Sequence, residues 1–435
     1  MREVFQAKTI GTLALLQVVL PLNLALTTFA LLRGVFVAPP PVAVAAQRKT
    51  ILVSGGKMTK ALQLARSFHA AGHRVVLVES SKYRFNGHRF SRAVDRFYTV
   101  PAPDSDNYAV ALLAVVRAEE VDVYVPVCSP VASYYDALAK DQLSPHCEVL
   151  HCDADMVARL DDKYEFFALV ASLGLSTPET HRVTAPGQVE EFDFTGTDYI
   201  LKSIPYDPVH RRDMTTVPRP TATETTTYAR SKPITEATPW IMQEFVRGQE
   251  YCTHSLVRDG AVQVFCCCES SAFQINYRMV DKPEIEEWVG EFAQRLNLTG
   301  QVSFDFIQGD DGRLHAIECN PRTHSAITMF YDHPDLARAY LERGVPVVKP
   351  LPHSKPTYWI YHELWRLVTQ RGGRAHRLAV IAQGKDAIFD WDDPLPFLLV
   401  HHLQIPSLLL SNLLRRKGWT GIDFNIGKLI EAAGD

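Results

Sequence analysis

The sequence predicts an α/β protein: an apolar helix first, then a parallel sheet with crossover helices, then antiparallel sheets. Three observations carry that prediction. Residues 50–79 run as strand, glycine turn, amphipathic helix and strand; residues 199–320 alternate short strands with Asp-Gly turns; and residues 10–32 contain no charged side chain.

The apolar run comes first in the chain. Arg2 and Lys8 flank it on one side and Arg33 on the other. It is long enough to cross the apolar layer of a bilayer, which takes roughly 20 helical residues. Gln17, Pro21 and Asn23 weaken the pattern, and Pro21 would kink the helix. The expectation is membrane contact through residues 10–32, as a helix or short hairpin, with a helix packed on the protein as the alternative. A cleaved signal peptide fits less well because the apolar run is long. A Pro/Ala/Val linker over 38–46 follows, and the folded body is expected to begin near Thr50.

From Thr50 a short apolar strand ends at Ser54-Gly55-Gly56-Lys57. A helix over 58–71 puts Leu62, Ala65 and Phe68 on one face, and Gly72 ends it. Residues 74–78 make a second strand that closes on Glu79, and 121–127 make a third. Strand, helix and strand in this order give a right-handed crossover and a Rossmann-like parallel sheet. The glycine turn is not a phosphate loop, since Met58 follows Lys57 and position 51 is not glycine. A polar turn at the carboxyl edge of such a sheet is nevertheless a natural place for a small substrate.

From Leu160 the pattern changes. Asp161-Asp162-Lys163 leads into a helix that Gly174 ends, and 199–204 is a strand carrying Lys202. The Thr- and Pro-rich stretch 205–240 reads as a long mobile loop. A strand over 240–246, a hairpin turning at Asp259-Gly260, a helix over 283–296 and a second hairpin follow. Residues 349–435 read as helical, with a second apolar segment at 395–414. His401, His402, Gln404 and Pro406 argue that this segment lies at a surface or packs on the N-terminal helix.

Composition narrows the function. Over 435 residues, 46% are hydrophobic and 22% charged, as in an ordinary multi-unit globular chain. The net charge of −4, with no basic block, gives no footprint for nucleic acid. The eight cysteines, including the run Cys266-Cys267-Cys268, have no zinc-ligand spacing and read as reduced thiols of a cytoplasmic protein.

The second hairpin is the most informative piece. It runs Val302-Ser303-Phe304-Asp305-Phe306-Ile307-Gln308-Gly309-Asp310, then Asp311-Gly312, then Arg313-Leu314-His315-Ala316-Ile317-Glu318-Cys319-Asn320. With Asp-Gly as a two-residue loop, Asp310 faces Arg313 and Asp305 stands opposite Glu318. Asn320 shares their face, while Phe304, Phe306 and Ile317 fill the other. Two carboxylates with Cβ atoms about 5 Å apart need a cation between them. Oxygen ligands without sulfur or imidazole suit Mg²⁺. Arg322 can meet phosphate oxygens bidentately. Lys202, inside an apolar strand, needs an anionic partner such as a phosphate. Lys163, by itself, is unremarkable.

Taken in order, Lys163, Lys202, Gln243-Glu244-Phe245-Val246-Arg247-Gly248-Gln249-Glu250, Asp305 and Glu318-Cys319-Asn320-Pro321-Arg322 resemble the ATP-grasp superfamily over roughly residues 50–345. The resemblance implies an ATP-grasp fold with antiparallel sheets clasping the nucleotide and a Rossmann-like domain before them. It implies that Lys163 and Lys202 contact the α- and β-phosphates of ATP. It further implies that Gln243, Glu244 and Val246 lie at the adenine and that Glu250 holds the ribose. By the same resemblance Asp305, Glu318 and Asn320 bind Mg²⁺ and Arg322 steadies the transferred phosphoryl group.

Further stretches look like the mycosporine-glycine-forming ligases. They are Ser54-Gly55-Gly56-Lys57-Met58-Thr59-Lys60-Ala61-Leu62-Gln63-Leu64-Ala65-Arg66, Pro126-Val127-Cys128-Ser129-Pro130-Val131-Ala132-Ser133-Tyr134-Tyr135-Asp136, Asn320-Pro321-Arg322-Thr323-His324-Ser325-Ala326, Lys355-Pro356-Thr357-Tyr358-Trp359-Ile360-Tyr361-His362 and Ile422-Asp423-Phe424-Asn425-Ile426-Gly427. That family joins glycine to 4-deoxygadusol, so the expected substrates are that pair with ATP. A ligase joining a true carboxylate to an amine is the alternative, and a catalytically dead scaffold is disfavoured because every metal and lysine position is filled. Gly55, Gly56, Lys57, Ser129, Ser133 and His324 are the substrate candidates. His254 either faces the phosphates or is structural. Tyr358, Trp359, Tyr361 and His362 read as core before pocket cover, and Cys128 and Cys319 as packed residues without a covalent role. The expected units are 1–49 (apolar segment and linker), 50–158 (Rossmann-like), 159–348 (ATP-grasp) and 349–435 (C-terminal extension).

Overall fold

The computed structural model describes residues 2–127, 129–205, 210, 213–270, 276–370 and 372–431. Helix α1 (Arg2–Phe36) is one element that runs through Pro21, not a hairpin. Beyond the linker, β1 (Thr50–Val53), α2 (Thr59–Ala70), β2 (Arg74–Ser80), β3 (Arg96–Val100), α3 (Tyr108–Ala118), β4 (Val123–Val125), α4 (Ala132–Leu143) and β5 (Glu148–Val149) follow. The five strands form one parallel sheet in the order β3-β2-β1-β4-β5. Ile51–Val53 and Val75–Val78 are fully buried, as strands covered on both faces must be. Leu62, Ala65 and Phe68 of α2 cover one face; Leu112, Val116 and Leu143 of α3 and α4 cover the other. The strand order reverses between β1 and β4, which opens a crevice at their carboxyl ends. Gly55, at φ +67°, sits in that crevice, and a Cβ there would lie 2.0 Å from the carbonyl oxygen of Val127.

Helices α5 (Ala154–Asp161) and α6 (Lys163–Ser172) meet at Asp162, whose carboxylate caps α6 by accepting from Glu165 N at 3.0 Å. Next come β6 (Thr180–Val183), α7 (Pro186–Glu190), β7 (Tyr199–Ser203), β8 (Thr216–Val217), α8 (Ala222–Arg230) and β9 (Trp240–Glu244). Their strands pair antiparallel in the order β6-β9-β7-β8 around Tyr199, Leu201, Trp240 and Met242. The long mobile loop expected over 205–240 is therefore corrected. Residues 213–240 hold β8 and α8, with Thr221 capping α8 and Lys232 paired to Asp213 at 2.5 Å. Residues 206–209 and 211–212 of that stretch lie outside the described residues, as does Cys128.

The second antiparallel sheet takes β10 (Gly248–Arg258), β11 (Ala261–Glu269), β13 (Gly300–Gly309) and β14 (Leu314–Asn320) in the order β11-β10-β13-β14; β12 (Asn276–Tyr277) and α9 (Pro283–Arg295) intervene in sequence. Positive φ at Asp259 (49°) and Gly260 (76°) closes β10 onto β11 in a two-residue turn, as its sequence predicts. Trp288 and Phe292 of α9 pack edge-on to Phe306 and Phe304 at 5.1 and 5.2 Å between ring centres. That contact seals one sheet face; on the other, Asp305 stands beside Cys252, and Leu256 and Cys266 join the main core.

The remainder comprises α10 (Leu336–Leu341), β15 (Thr357–Tyr358), α11 (Ile360–Thr369), α12 (Arg374–Gln383), β16 (Lys385–Asp386), α13 (Leu395–Leu399), α14 (Ile405–Leu414), β17 (Gly421–Asp423) and β18 (Lys428–Ile430). The helical reading of 349–435 thus misses a small sheet, β12-β15-β16, and the β17–β18 hairpin. Buried Trp359 donates its indole N–H to Thr59 Oγ1 at 3.0 Å, which makes the aromatic run at 358–359 core. Asp393 ties this part to the parallel sheet, accepting from Arg66 Nε (2.9 Å), Ser91 Oγ (2.6 Å) and Arg92 N (2.9 Å).

Candidate active site

Asp305 on β13 pairs directly with Glu318 on β14, and Ser303 with Asn320, so the three oxygen-bearing side chains share a face. The route to that register corrects the sequence reading. The loop is not Asp311-Gly312 alone: Gly309 N bonds Arg313 O at 2.8 Å, so Asp310, Asp311 and Gly312 form a three-residue loop with Gly312 at φ +81°. This shifts Phe306 opposite Ala316 and Ile307 opposite His315. A one-residue irregularity between Asp305 and Phe306 then absorbs Ile317 and restores the Asp305–Glu318 pair. Ile317 is the extra, half-buried residue of that bulge and not a core partner of Phe304 and Phe306.

The charges around this pair converge from four strands, the start of α6 and a loop. Burial, then Glu318, then Glu250 on β10 push the Asp305 carboxyl up to about 8, while Arg322 and Lys202 pull the other way. Lys202 on β7 is pushed down by burial; the nearby acids Glu318, Glu250 and Asp305 raise it and Lys163 lowers it. Its ammonium donates to Gln243 Oε1 at 3.0 Å. Arg322 reaches back to Asn320 Oδ1 and pairs with Asp161 at 3.0 Å. Lys163, Lys202, Glu250, Asp305, Glu318 and Arg322 are thus brought into one electrostatic neighbourhood.

Two facing acids and an amide oxygen, with no sulfur or imidazole among them and with Glu250 adding negative charge nearby, fit a hard divalent cation. Among the described residues no three His, Cys, Asp or Glu converge as a ready metal cluster; this donor set is two facing carboxylates and an amide.

Gln243, Glu244 and Val246 lie where β9 leaves one antiparallel sheet and β10 enters the other. Glu244 is tied on both sides to Glu179, its N–H donating to Glu179 O (2.8 Å) and its carboxylate accepting from Glu179 N (3.1 Å). Phe245 N bonds Asp198 O at 2.7 Å, and Gln243 Nε2 donates to Thr180 Oγ1 at 3.3 Å. Val246 therefore sits in a braced connector, with half-buried Glu250 beyond it on β10.

The predicted substrate residues divide into two groups. Gly55, Lys57 and Ser129 line a cavity of ≈ 400 Å³ at the carboxyl edge of the parallel sheet, together with Glu79, Tyr83 and Asp136. Lys57 Nζ lies 3.8 Å from the ring centre of Tyr83 and 3.9 Å from Glu79. Asp136 accepts from both Tyr108 and Tyr124 at 2.7 Å. Gly56, Ser133 and His324 do not line that cavity. Gly56 accepts from buried His88 at 2.9 Å, and Ser133 donates to Pro321 O at 2.8 Å, docking α4 on the loop that carries Arg322. Glu79 was legible as the acid ending β2; Asp161 and Asp136 carried no such signal, because only folding gives them partners.

His324 accepts from Ala326 N at Nδ1, so its proton sits on Nε2; burial, Lys60 and Arg322 push its pKa down to about 3. It is a neutral donor. His254 is structural: it is buried, Nδ1 accepts from His324 N at 3.3 Å, and Nε2 faces Tyr340 Oη at 3.3 Å. Cys319 is buried, and burial raises its thiol well above the usual range, which agrees with packing and no nucleophilic role.

Comparison with known proteins bears on this arrangement. Residues 160–326 match the family model of the ATP-grasp domain. No curated protein matches the chain. Similar solved structures include the ADP complex of purK, N5-carboxyaminoimidazole ribonucleotide synthetase (14% identity, TM-score 0.53), covering 73% of this chain and 82% of that one. N5-carboxyaminoimidazole synthetase from Staphylococcus aureus with ADP is 16% identical at TM-score 0.53, covering 72% of this chain and 82% of that one. A biotin carboxylase–β,γ-ATP complex from Campylobacter jejuni is 15% identical at TM-score 0.53, covering 68% and 72%. At such identities the likeness is one of fold. The chain has the α/β ATP-grasp fold, with a parallel sheet, antiparallel sheets and an N-terminal apolar helix.

Proposed function

We propose that this protein is an ATP- and Mg²⁺-dependent ligase that forms a carbon–nitrogen bond between glycine and 4-deoxygadusol, giving mycosporine-glycine, ADP and phosphate. The observation that carries the ligase reading is the Asp305–Glu318 pair, set among Lys202, Lys163 and Arg322. The substrate pair rests on the resemblance of the turns at 54–66, 126–136 and 320–326 and of the C-terminal tail.

In this reading Lys163 and Lys202 neutralise the α- and β-phosphates of ATP. Gln243, Glu244 and Val246 hold the adenine, and Glu250 the ribose hydroxyls. Asp305, Glu318 and Asn320 hold Mg²⁺, which supplies charge compensation for the phosphates. The enolate oxygen of 4-deoxygadusol attacks the γ-phosphorus and the bond to ADP breaks. Arg322 leaves its Asp161 partner to follow the charge on the moving phosphoryl group. Glycine's amine then adds to the carbon that bears the phosphoryloxy group, its C–O bond breaks as phosphate leaves, and the amine loses its proton. The enolised 1,3-dicarbonyl is a vinylogous carboxylate, so a carboxylate-activating scaffold suits it. The edge cavity with Lys57, Glu79 and Ser129 receives the small substrates.

The same reading puts the protein in the cytoplasm, where ATP and reduced thiols coexist, in contact with a membrane through residues 10–32. All seven described cysteines are unpaired.

The deciding experiment is phosphate release from ATP by the purified protein with Mg²⁺, 4-deoxygadusol and a panel of amino acids. Turnover that requires 4-deoxygadusol and yields an ultraviolet-absorbing product of the mass of mycosporine-glycine is expected with glycine. Turnover only with another acid and amine would discard this substrate pair and keep the ligase. No turnover with any pair would overturn both.

A further inference from the structure

The N-terminal helix binds the protein from Lys8 to Arg33. Thr9, Leu16, Asn23, Thr27 and Ala30 are buried, and Leu13, Leu20, Leu26 and Arg33 are partly so, an unbroken stripe at helical spacing. From Thr9 to Arg33 that stripe is about 36 Å long at 1.5 Å per residue. Polar contacts fasten it at both ends and the middle. Lys8 donates to the carbonyl of Thr420 at 2.9 Å and lies over the Trp419 ring at 4.0 Å, while the Trp419 indole donates to Thr9 Oγ1 at 2.9 Å. Asn23 Nδ2 meets Tyr361 Oη and His402 Nε2, each at 2.7 Å. Arg33 pairs with Asp392 at 3.1 Å.

The opposite face is apolar and exposed. Val18 is 74% exposed, Leu22 69% and Phe29 61%, with Ile10, Leu15 and Leu32 beside them. The face continues onto α14, which packs against α1 and exposes Leu410 and Leu414. Exposed Arg415, Arg416 and Lys417 follow directly on Leu414, at the same end as Lys8.

We infer that α1 and the outer edge of α14 form one membrane-docking surface lying in the plane of the bilayer, with α1 half-sunk among the headgroups and not crossing. A crossing α1 would have to leave its stripe, stranding Asn23 and Thr9 without partners in hydrocarbon, or drag Asp392 and the carbonyls at 419–420 in with it. Lying flat, it keeps every one of these contacts and buries only the face that is already apolar. Arg415 and Arg416 match anionic headgroups, each cation being worth about 1 kcal/mol there, whereas Lys417 is paired with Glu431 at 3.9 Å and Lys8 is held by the Thr420 carbonyl. This inference rests on the membrane contact proposed above and fixes its geometry; the chemistry at Asp305 is read separately.

The test uses the full chain with phosphatidylcholine vesicles, with and without phosphatidylglycerol. A nitrobenzoxadiazole label on Ile10→Cys, Val18→Cys or Phe29→Cys reports depth by spin-label quenching. The expected result is one shallow depth at all three positions, tighter binding with phosphatidylglycerol, and loss of binding by about tenfold or more in Val18→Glu/Leu22→Glu. Because both positions are exposed, that variant should fold, which circular dichroism checks. Depths graded from one leaflet to the other would overturn the in-plane geometry. Binding to neither vesicle would overturn the lipid surface, as would a wild-type dimer that Val18→Glu/Leu22→Glu dissociates. ATP turnover in detergent is measured alongside; its absence would count against the ligase and leave the docking result standing.

Discussion

Asp305 stands opposite Glu318 because two one-residue shifts cancel: a three-residue loop at 310–312 and a bulge at Ile317. Side chains alternate faces with a period of two, so either shift alone would turn Glu318 away from Asp305. The bulge is thus a device that aims an acid at its partner.

Asp305→Asn or Glu318→Gln should lower ATP turnover by about a hundredfold or more without loss of stability. Each substitution removes one of two acids that repel each other, so unfolding by urea should show equal or greater stability than wild type. Wild-type turnover in either variant would sink the metal assignment.

Lys202→Met should raise the KM for ATP by about tenfold or more. Burial already disfavours this ammonium, whose hydrogen bond among the described residues goes to Gln243. Stability should hold or rise, since Met fills the same strand position without a buried charge. An unchanged ATP affinity by calorimetry would remove Lys202 from the phosphate site.

Asp393→Ala should lower the unfolding free energy by about 3 kcal/mol or more. The substitution strands the Arg66 guanidinium and the Ser91 hydroxyl at the join between the parallel sheet and the C-terminal part. Urea unfolding checks it, and a loss below about 1 kcal/mol would show that Arg66 finds other partners.

Stability should fall as pH drops from 6.5 towards 4. His88 is buried with Nδ1 on Gly56 O and Nε2 without a partner, and burial pushes its pKa from 6.5 to about 4. The unfolded chain takes up the proton first, so His88 alone costs the folded state about 3 kcal/mol across that window and nothing further below it. His88→Asn should flatten the slope of stability against pH between those limits; an unchanged slope would assign it to other groups.

Local pattern made much of the fold legible. The glycine turn between β1 and α2, the Asp259-Gly260 hairpin and the Asp162 cap are set by residues within a few positions of one another, so they could be read directly. The stretch 205–240 misled because Thr and Pro suggest a loop. Asp213, Lys232 and Tyr228, far apart in sequence, instead stitch β8 and α8 to the sheet.

The candidate site divides the same way. Which residues carry charge, and in what order, was written in the chain, as was the uncharged run of α1; the facing of Asp305 and Glu318 was read through a two-residue loop, and the fold reaches it through a longer loop and a bulge. Folding alone decided that Arg322 leans on Asp161, that His254 is a buried spacer and that Ser133 docks a helix on the Arg322 loop. It also decided that α1 lies along the protein. Hydrophobic period and turn chemistry act over a few residues and so appear in sequence, whereas burial, tautomer and ion-pair choice depend on neighbours brought from hundreds of positions away.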